Sequence, residues 1–327
     1  LIRISLLRSN AAASVLAVLF SFTSALHAQT DVPAAPTQAP TAVAGPNFPK
    51  PDPSNFTVDT PTQDQVKGFL EASFGYDPTR VFQVQAIAKT ILPGVAKVVI
   101  LGGEKGKAEI GSYEFFVMPD GKHLISGNEI LPFSDHPFAE NRTTLLNRAD
   151  GPSKGSAKKD LELVEFADFE CPHCKDAQPI VDKLLTDYPN AHFVYESLPL
   201  IRIHKHAFRA AAFGYCVAKL AGNQAFFDFA AAVFDGQQGL ATDEGATLTL
   251  NSAVTKANQD PAKVEACSQT PETKAAVESG LKLATDLNVS QTPFLFINGR
   301  GLPFNQVPYE TLKQIIDYQV ANDGPAK

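Results

Sequence analysis

No basic run and no Arg-rich helix pattern interrupts the 327 residues, whose formal net charge is −7. Both absences disfavour a polyanionic partner, nucleic acid included. Lys154, Lys158 and Lys159 are close together but fall in a polar stretch that reads as a solvated linker. No apolar run reaches the roughly 18 unbroken residues of a membrane-spanning helix. The apolar run near the start, Ala11 to Phe20, is broken or followed by Ser14, Ser21 and Ser24. No internal repeat is detectable, which argues against a solenoid. Cysteine is scarce at four residues, and a second C-x-x-C is missing. The lone pair would therefore be only half of a zinc site, short of two ligands at usable spacing.

What is present begins with Arg3 and Arg8 ahead of the apolar run, followed by small residues around Ala25 and Ala28. This is the layout of a secretory signal peptide over residues 1–28, cut after Ala28 or Ala25. Its removal takes the formal charge from −7 to about −9. Export to the periplasm or another extracytoplasmic compartment is the expectation. Cys171, Cys174, Cys216 and Cys267 would then meet oxidising conditions, with two disulfides possible.

Residues 29–55 are crowded with Pro, Ala and Thr and read as an extended linker. Residues 56–148 read as a small α+β domain. Thr62 caps a helix through Val66, Phe69, Leu70 and Phe74. Strand patterns follow at Val81–Lys89, Val95–Leu101, Glu109–Val117 and Lys122–Ser126, the last two joined by the turn signal Pro119-Asp120-Gly121. A Gly- and Lys-rich stretch over 149–160 reads as a second linker. Residues 161–323 read as an α/β domain. A near-continuous apolar strand, Leu161–Asp168, precedes a helix over Pro172–Tyr188 and a strand over His192–Ser197. Several helices then fill about 200–287, before a strand at Phe294–Asn298 and a closing helix over Pro308–Val320. Phe208, Ala212, Cys216 and Leu220 share one helical stripe, so Cys216 is expected to face a core.

The chemistry concentrates at Cys171-Pro172-His173-Cys174. One cysteine attacks a disulfide and the second must reach the mixed disulfide to resolve it. Cys171 precedes a helix with Pro172 in its first turn, so unpaired backbone N–H groups and the helix dipole should lower its pKa. Cys174, one turn on, is the resolving thiol. His173 can offer a hydrogen bond or positive charge to the thiolate, favouring the reduced form and hence an oxidising disulfide. Glu165 is either a solvent-facing strand residue or a buried carboxyl; if buried, it can take and return the proton of Cys174. His204 and His206 form an H-x-H at a helix entrance, read as capping or solvated, with metal the lesser alternative.

Val164-Glu165-Phe166 through Phe169-Glu170-Cys171-Pro172-His173-Cys174 resembles the active-site strand and helix of DsbA-like thioredoxin-fold proteins, and the likeness extends over about Leu161 to Val320. Thr292-Pro293, followed by Phe294-Leu295-Phe296-Ile297-Asn298-Gly299, resembles that family's cis-proline loop and following strand. The resemblance implies a thioredoxin-like α/β fold with an inserted helical subdomain, preceded here by the small α+β domain. It also implies an acidic residue under the site at Glu165, and substrate pairing beside Cys171 through Thr292 and Pro293. Further implications are a redox dithiol with no cofactor or metal, client proteins bearing cysteines, and a membrane redox partner. Some exported members carry a second disulfide at positions like Cys216 and Cys267; two buried inert thiols are the alternative. The N-terminal unit, through Ile91-Leu92-Pro93-Gly94-Val95, Phe115-Phe116-Val117, Asp120-Gly121-Lys122 and Ser126-Gly127, resembles the dimerisation domain of periplasmic disulfide isomerases. That implies a homodimer, with a monomeric accessory domain as the alternative. Oxidase, isomerase, reductase and a non-enzymatic chaperone or binding module all remain open from sequence.

Overall fold

Thr62 starts the first helix of the computed structural model, which describes residues 45–324 apart from Asn128. The Gln65 N–H donates to the Thr62 hydroxyl, and the Thr62 N–H donates to the Gln65 side chain, a reciprocal capping box that fixes the start of α1 (Gln63–Phe74). The signal peptide expected over 1–28 and most of the linker expected over 29–55 lie outside the described residues. The end of that linker is held, Gln83 and Gln85 donating to the Pro49 carbonyl, and just beyond it the Thr57 N–H donates to the Ile87 carbonyl.

Five antiparallel strands follow in sequence order as a meander: β1 (Arg80–Lys89), β2 (Ala96–Glu104), β3 (Ile110–Val117), β4 (His123–Ser126) and β5 (Glu129–Pro132). Alternation along β2 buries Ala96, Val98 and Ile100 against Val66, Phe69 and Leu70 of α1. Phe115 and Phe133 pack on Phe69 at ring-centroid distances of 5.9 and 5.4 Å. β5 was not expected from sequence; at four residues its pattern is too short to stand out.

Residues 139–160 depart from the sequence reading. Ala139–Arg148 forms a helix, α2, whose Leu145 packs with Val164 and Phe166 of the second sheet. Within the stretch read as a linker, Ser153–Gly155 forms β6, paired antiparallel to a strand of that sheet. Polar and glycine-rich composition hid an edge strand whose side chains are only partly buried.

The second sheet is built on β7 (Leu161–Ala167), buried along its whole length. The chain crosses through α3 (Pro172–Asp187) to β8 (Ala191–Ser197), which lies parallel to β7. α3 runs through Pro179, which leaves it one N–H short of a complete ladder. Four helices are then inserted: α4 (Ala207–Asp235), α5 (Asp243–Lys256), α6 (Pro261–Ser268) and α7 (Pro271–Asp286). The chain returns as β9 (Phe294–Ile297), antiparallel to β7, and β10 (Arg300–Leu302), and closes with α8 (Tyr309–Asp323). The strand order is β10-β9-β7-β8-β6. α3, α8 and the first three inserted helices, α4 to α6, cover one face of this sheet; α2 and the last inserted helix, α7, cover the other. The architecture is thioredoxin-like with an inserted helical subdomain, preceded by a small α+β unit.

Cys216 on α4 and Cys267 on α6 are joined in a disulfide spanning 51 residues. A loop of that length corresponds to about 4 kcal/mol of chain-entropy stabilisation. The stripe expected on α4 ends early. Gly222, at φ 83°, breaks the helix, and Leu220 beside the break is 50% exposed rather than buried.

Candidate redox site

Cys171 occupies the N-cap of α3 with extended backbone and Pro172 at the first helical position. Its thiol makes no cap hydrogen bond but sits at the positive end of the α3 dipole. Both Cys171 and Cys174 are free thiols, 5% and 0% exposed. The Cys171 thiol falls from an ordinary 9.0 to about 5. The Cys174 side chain contributes most. The Thr292 hydroxyl, otherwise without a partner, and the backbone N–H groups of Cys174 and His173 add to it against burial. Cys174 moves the other way: burial, then the Cys171 thiolate, push its thiol far above the usual range. Only the Asp168 N–H, donating to its sulfur at 3.4 Å, opposes that. One thiolate is thus favoured at the mouth of the site and one thiol beneath it.

Thr292-Pro293 is a cis peptide bond. The Cys171 thiol donates to the Thr292 carbonyl at 3.6 Å, which brings the two stretches singled out in the sequence into contact across 121 residues. Glu165 is completely buried, which closes the solvent-facing alternative. Gln178 donates to its Oε1 at 3.3 Å, Oε2 has no partner, and burial raises its carboxyl to about 8.

His173 departs from the expectation. Its side chain is exposed, and what reaches Cys171 is its backbone N–H rather than its imidazole. His204 and His206 serve as structural partners of acids. His204 pairs through Nδ1 with Asp168 at 2.7 Å, and His206 through Nε2 with Asp243 at 3.0 Å.

Three contributors were missed from sequence. Asp168, buried, accepts from the Glu170 and Leu200 N–H groups as well as meeting His204, and so ties the end of β7 to the loop after β8. Gln237 donates to the carbonyls of Phe169 and Cys171 at 2.8 and 2.9 Å, clamping the active-site turn from the helical insertion. Phe169 is surrounded by Tyr195, Phe226, Phe229 and Phe234 at centroid distances of 5.3–6.2 Å. Each such ring pair contributes about 0.5–1.5 kcal/mol beyond its buried area. Asp168 carried a usable signal, a carboxylate at the end of a strand and separated from Cys171 only by Phe169-Glu170; Gln237, 66 residues from Cys171, carried none.

This geometry can hold a nucleophilic thiolate beside a cis-proline carbonyl, with a protonated second thiol and a buried carboxyl below it. A family model described as thioredoxin matches residues 148–318, just over half of the chain, and the chain belongs to that family. The helical insertion between β8 and β9, and the contact of C-P-H-C with the Thr-Pro pair, agree with the DsbA-like resemblance of the sequence. Among curated proteins, it is 40% identical over 74 residues to the Na(+)/H(+) antiporter NhaA 1 of Salinispora arenicola, over 23% of this chain and 11% of that protein. The chain thus spans about a tenth of that relative's length. Among solved structures it is similar to Proteus mirabilis ScsC in a transitional conformation, with 24% identity, TM-score 0.47, and 56% of this chain and 79% of that one covered. It is similar also to oxidised BdbD from Bacillus subtilis, with 21% identity, TM-score 0.47, and 53% and 94% covered.

Proposed function

We propose that the chain is a thiol-disulfide oxidoreductase acting on cysteines of extracytoplasmic client proteins through a mixed disulfide at Cys171. The observation that carries the reading is the contact of the Cys171 thiol with the Thr292 carbonyl before cis-Pro293, above a buried Cys174. An extended client chain can pair with the backbone at Thr292 and present its sulfur to Cys171. The lowered Cys171 thiol stabilises the reduced protein, which makes the disulfide an oxidant, so introduction of disulfides into clients is the favoured direction. Turnover as an oxidase then requires an electron acceptor, for which a membrane redox partner is the proposal.

Pairing of two copies through the N-terminal unit would add isomerisation. Ile91 and Leu92, at 99% and 60% exposure in the β1–β2 turn, and Ile130, at 68% on the edge strand β5, supply apolar surface for it. The experiment is refolding of reduced and of scrambled ribonuclease by wild type and Cys171→Ser, with molecular mass in solution measured alongside. Wild-type activity lost in the variant is expected; equal activity in both overturns the reading. A monomeric mass removes the isomerase extension and leaves the oxidase reading intact.

A further inference from the structure

Two buried polar atoms beneath the dithiol have no hydrogen-bond partner: Oε2 of Glu165 and the hydroxyl of Tyr195. They belong to directly paired positions of the parallel strands β7 and β8, Glu165 opposite Tyr195. Neighbouring positions in a sheet project to the same face, here the face holding Leu163, Ala167 and Cys174. The Tyr195 ring stacks on Phe169 at 5.5 Å and an interplanar angle of 23°, two residues before Cys171. Of the charged groups around Tyr195, Glu165 weighs most, followed by Cys174, Asp168 and Cys171. A buried hydroxyl without a partner costs about 1–3 kcal/mol, which sets it apart from a purely packing residue. Phenylalanine would fill the same space among Phe169 and Phe226 without that cost.

We propose that Tyr195 is a positioning residue of the redox centre, its hydroxyl donating to the Glu165 carboxylate as Glu165 exchanges a proton with Cys174. The inference rests on the oxidoreductase reading. In the reducing direction, the Cys171 thiolate attacks a client disulfide; the client S–S bond breaks, a Cys171–client S–S bond forms, and the first client sulfur leaves as thiolate. Cys174 then passes its proton to Glu165 and attacks the Cys171 sulfur. The Cys171–client bond breaks, the Cys171–Cys174 bond forms, and the second client sulfur leaves as thiolate. The client gains two electrons and the chain loses two. The oxidising direction reverses each step, Glu165 returning the proton to Cys174.

Glu165 accepts the proton only as the anion, so closure onto Cys171 speeds up as pH rises through the Glu165 midpoint. A hydroxyl donating to the anion holds that midpoint down; removing it moves the midpoint up. The other polar groups facing Glu165 are Gln178 and Asp182 on α3 and Lys154 on β6, and all stay in place when only the Tyr195 oxygen is removed.

The test follows reaction of the reduced full-length wild type, Y195F and E165Q with oxidised glutathione. Alkylation quench and mass spectrometry separate formation of the mixed disulfide from closure across the pH range. Formation rates are expected to be equal in all three. Closure in Y195F is expected to shift its midpoint up by about one pH unit, which is about tenfold slower at neutral pH; E165Q is expected to lose that midpoint. Y195F should melt no lower than wild type. If it does melt lower, the infrared C=O band of protonated Glu165 decides: moved in Y195F it supports the assignment, unmoved it overturns it. A Y195F closure profile superimposed on wild type overturns the assignment, whatever E165Q shows. A wild type that forms no mixed disulfide overturns the oxidoreductase reading itself, and this inference with it.

Discussion

The sulfur of Cys171 lies 3.6 Å from the carbonyl oxygen of Thr292, the residue that precedes cis-Pro293. As a thiol Cys171 donates to that carbonyl; its thiolate is favoured chiefly by the Cys174 side chain, then by Thr292 and the backbone N–H groups of Cys174 and His173. The balance favours the thiolate, with the midpoint near 5 against an ordinary 9.0. Thiolate absorbance of the reduced protein should therefore rise through a transition near pH 5, and Cys171→Ser should abolish it. Because the folded value lies below the unfolded one, the thiolate's contribution to stability is complete above the unfolded value. It is lost as pH falls through the folded one. The melting temperature of the reduced form, taken relative to the oxidised form, should climb between pH 5 and 9. A flat difference would show that Cys171 is not activated.

Glu165 gives the opposite slope. Its carboxyl is raised to about 8 from an ordinary 4.5, chiefly by burial. The folded protein therefore binds a proton that the unfolded chain has released, and stability falls as pH rises from 4.5 to 8. Glu165→Gln removes the ionisable group while keeping the amide-sized side chain beside Gln178. Its advantage over wild type should be absent near pH 4.5 and grow to a few kcal/mol, on the order of the shift, above pH 8. Denaturant unfolding of both proteins in the reduced state at these two pH values measures it. An advantage that does not change with pH would mean that Glu165 is ionised throughout.

Much of this site could be read from the sequence because its parts are local. A C-x-x-C after an apolar strand and before a proline-started helix specifies its own geometry; α1, β7, α3 and β8 follow from patterns over seven or more residues or from a strong start signal, and β9, at four residues, from an unbroken apolar run after Thr292-Pro293. What failed was short or non-local. β6 is three residues of Ser, Lys and Gly held by pairing with β8. β10 is three residues long, although the turn Asn298-Gly299, at φ 48° and 86°, is the two-residue signal that favours a hairpin. The exposed ring of His173 depends on the rotation of α3 over the sheet, which no local pattern encodes. Tyr195 reads as one more aromatic strand residue until its register with Glu165 is known.

That hairpin also carries the junction between the N-terminal unit and the rest of the chain. Arg300, just past Gly299, lies between the rings of Tyr76 and Phe138 at 4.7 and 4.8 Å, and its Nη2 donates to the Ser73 carbonyl at 2.6 Å. A desolvated cation–π contact and a charged hydrogen bond together account for about 3 kcal/mol. Arg300→Ala should lower stability by about that amount and expose the segment between β5 and α2 to limited proteolysis, releasing the N-terminal sheet. Arg300→Lys keeps the charge but not the flat group that stacks on both rings, so it should recover less than half of the loss. β9 runs antiparallel to β7, so the turn at Asn298-Gly299 lies at the opposite end of the strand from Pro293. Mixed-disulfide formation at Cys171 should therefore proceed at the wild-type rate in both variants. Reaction with oxidised glutathione, run beside the proteolysis, checks this: a slowed rate in Arg300→Ala would mean that the junction transmits to the cis-proline loop.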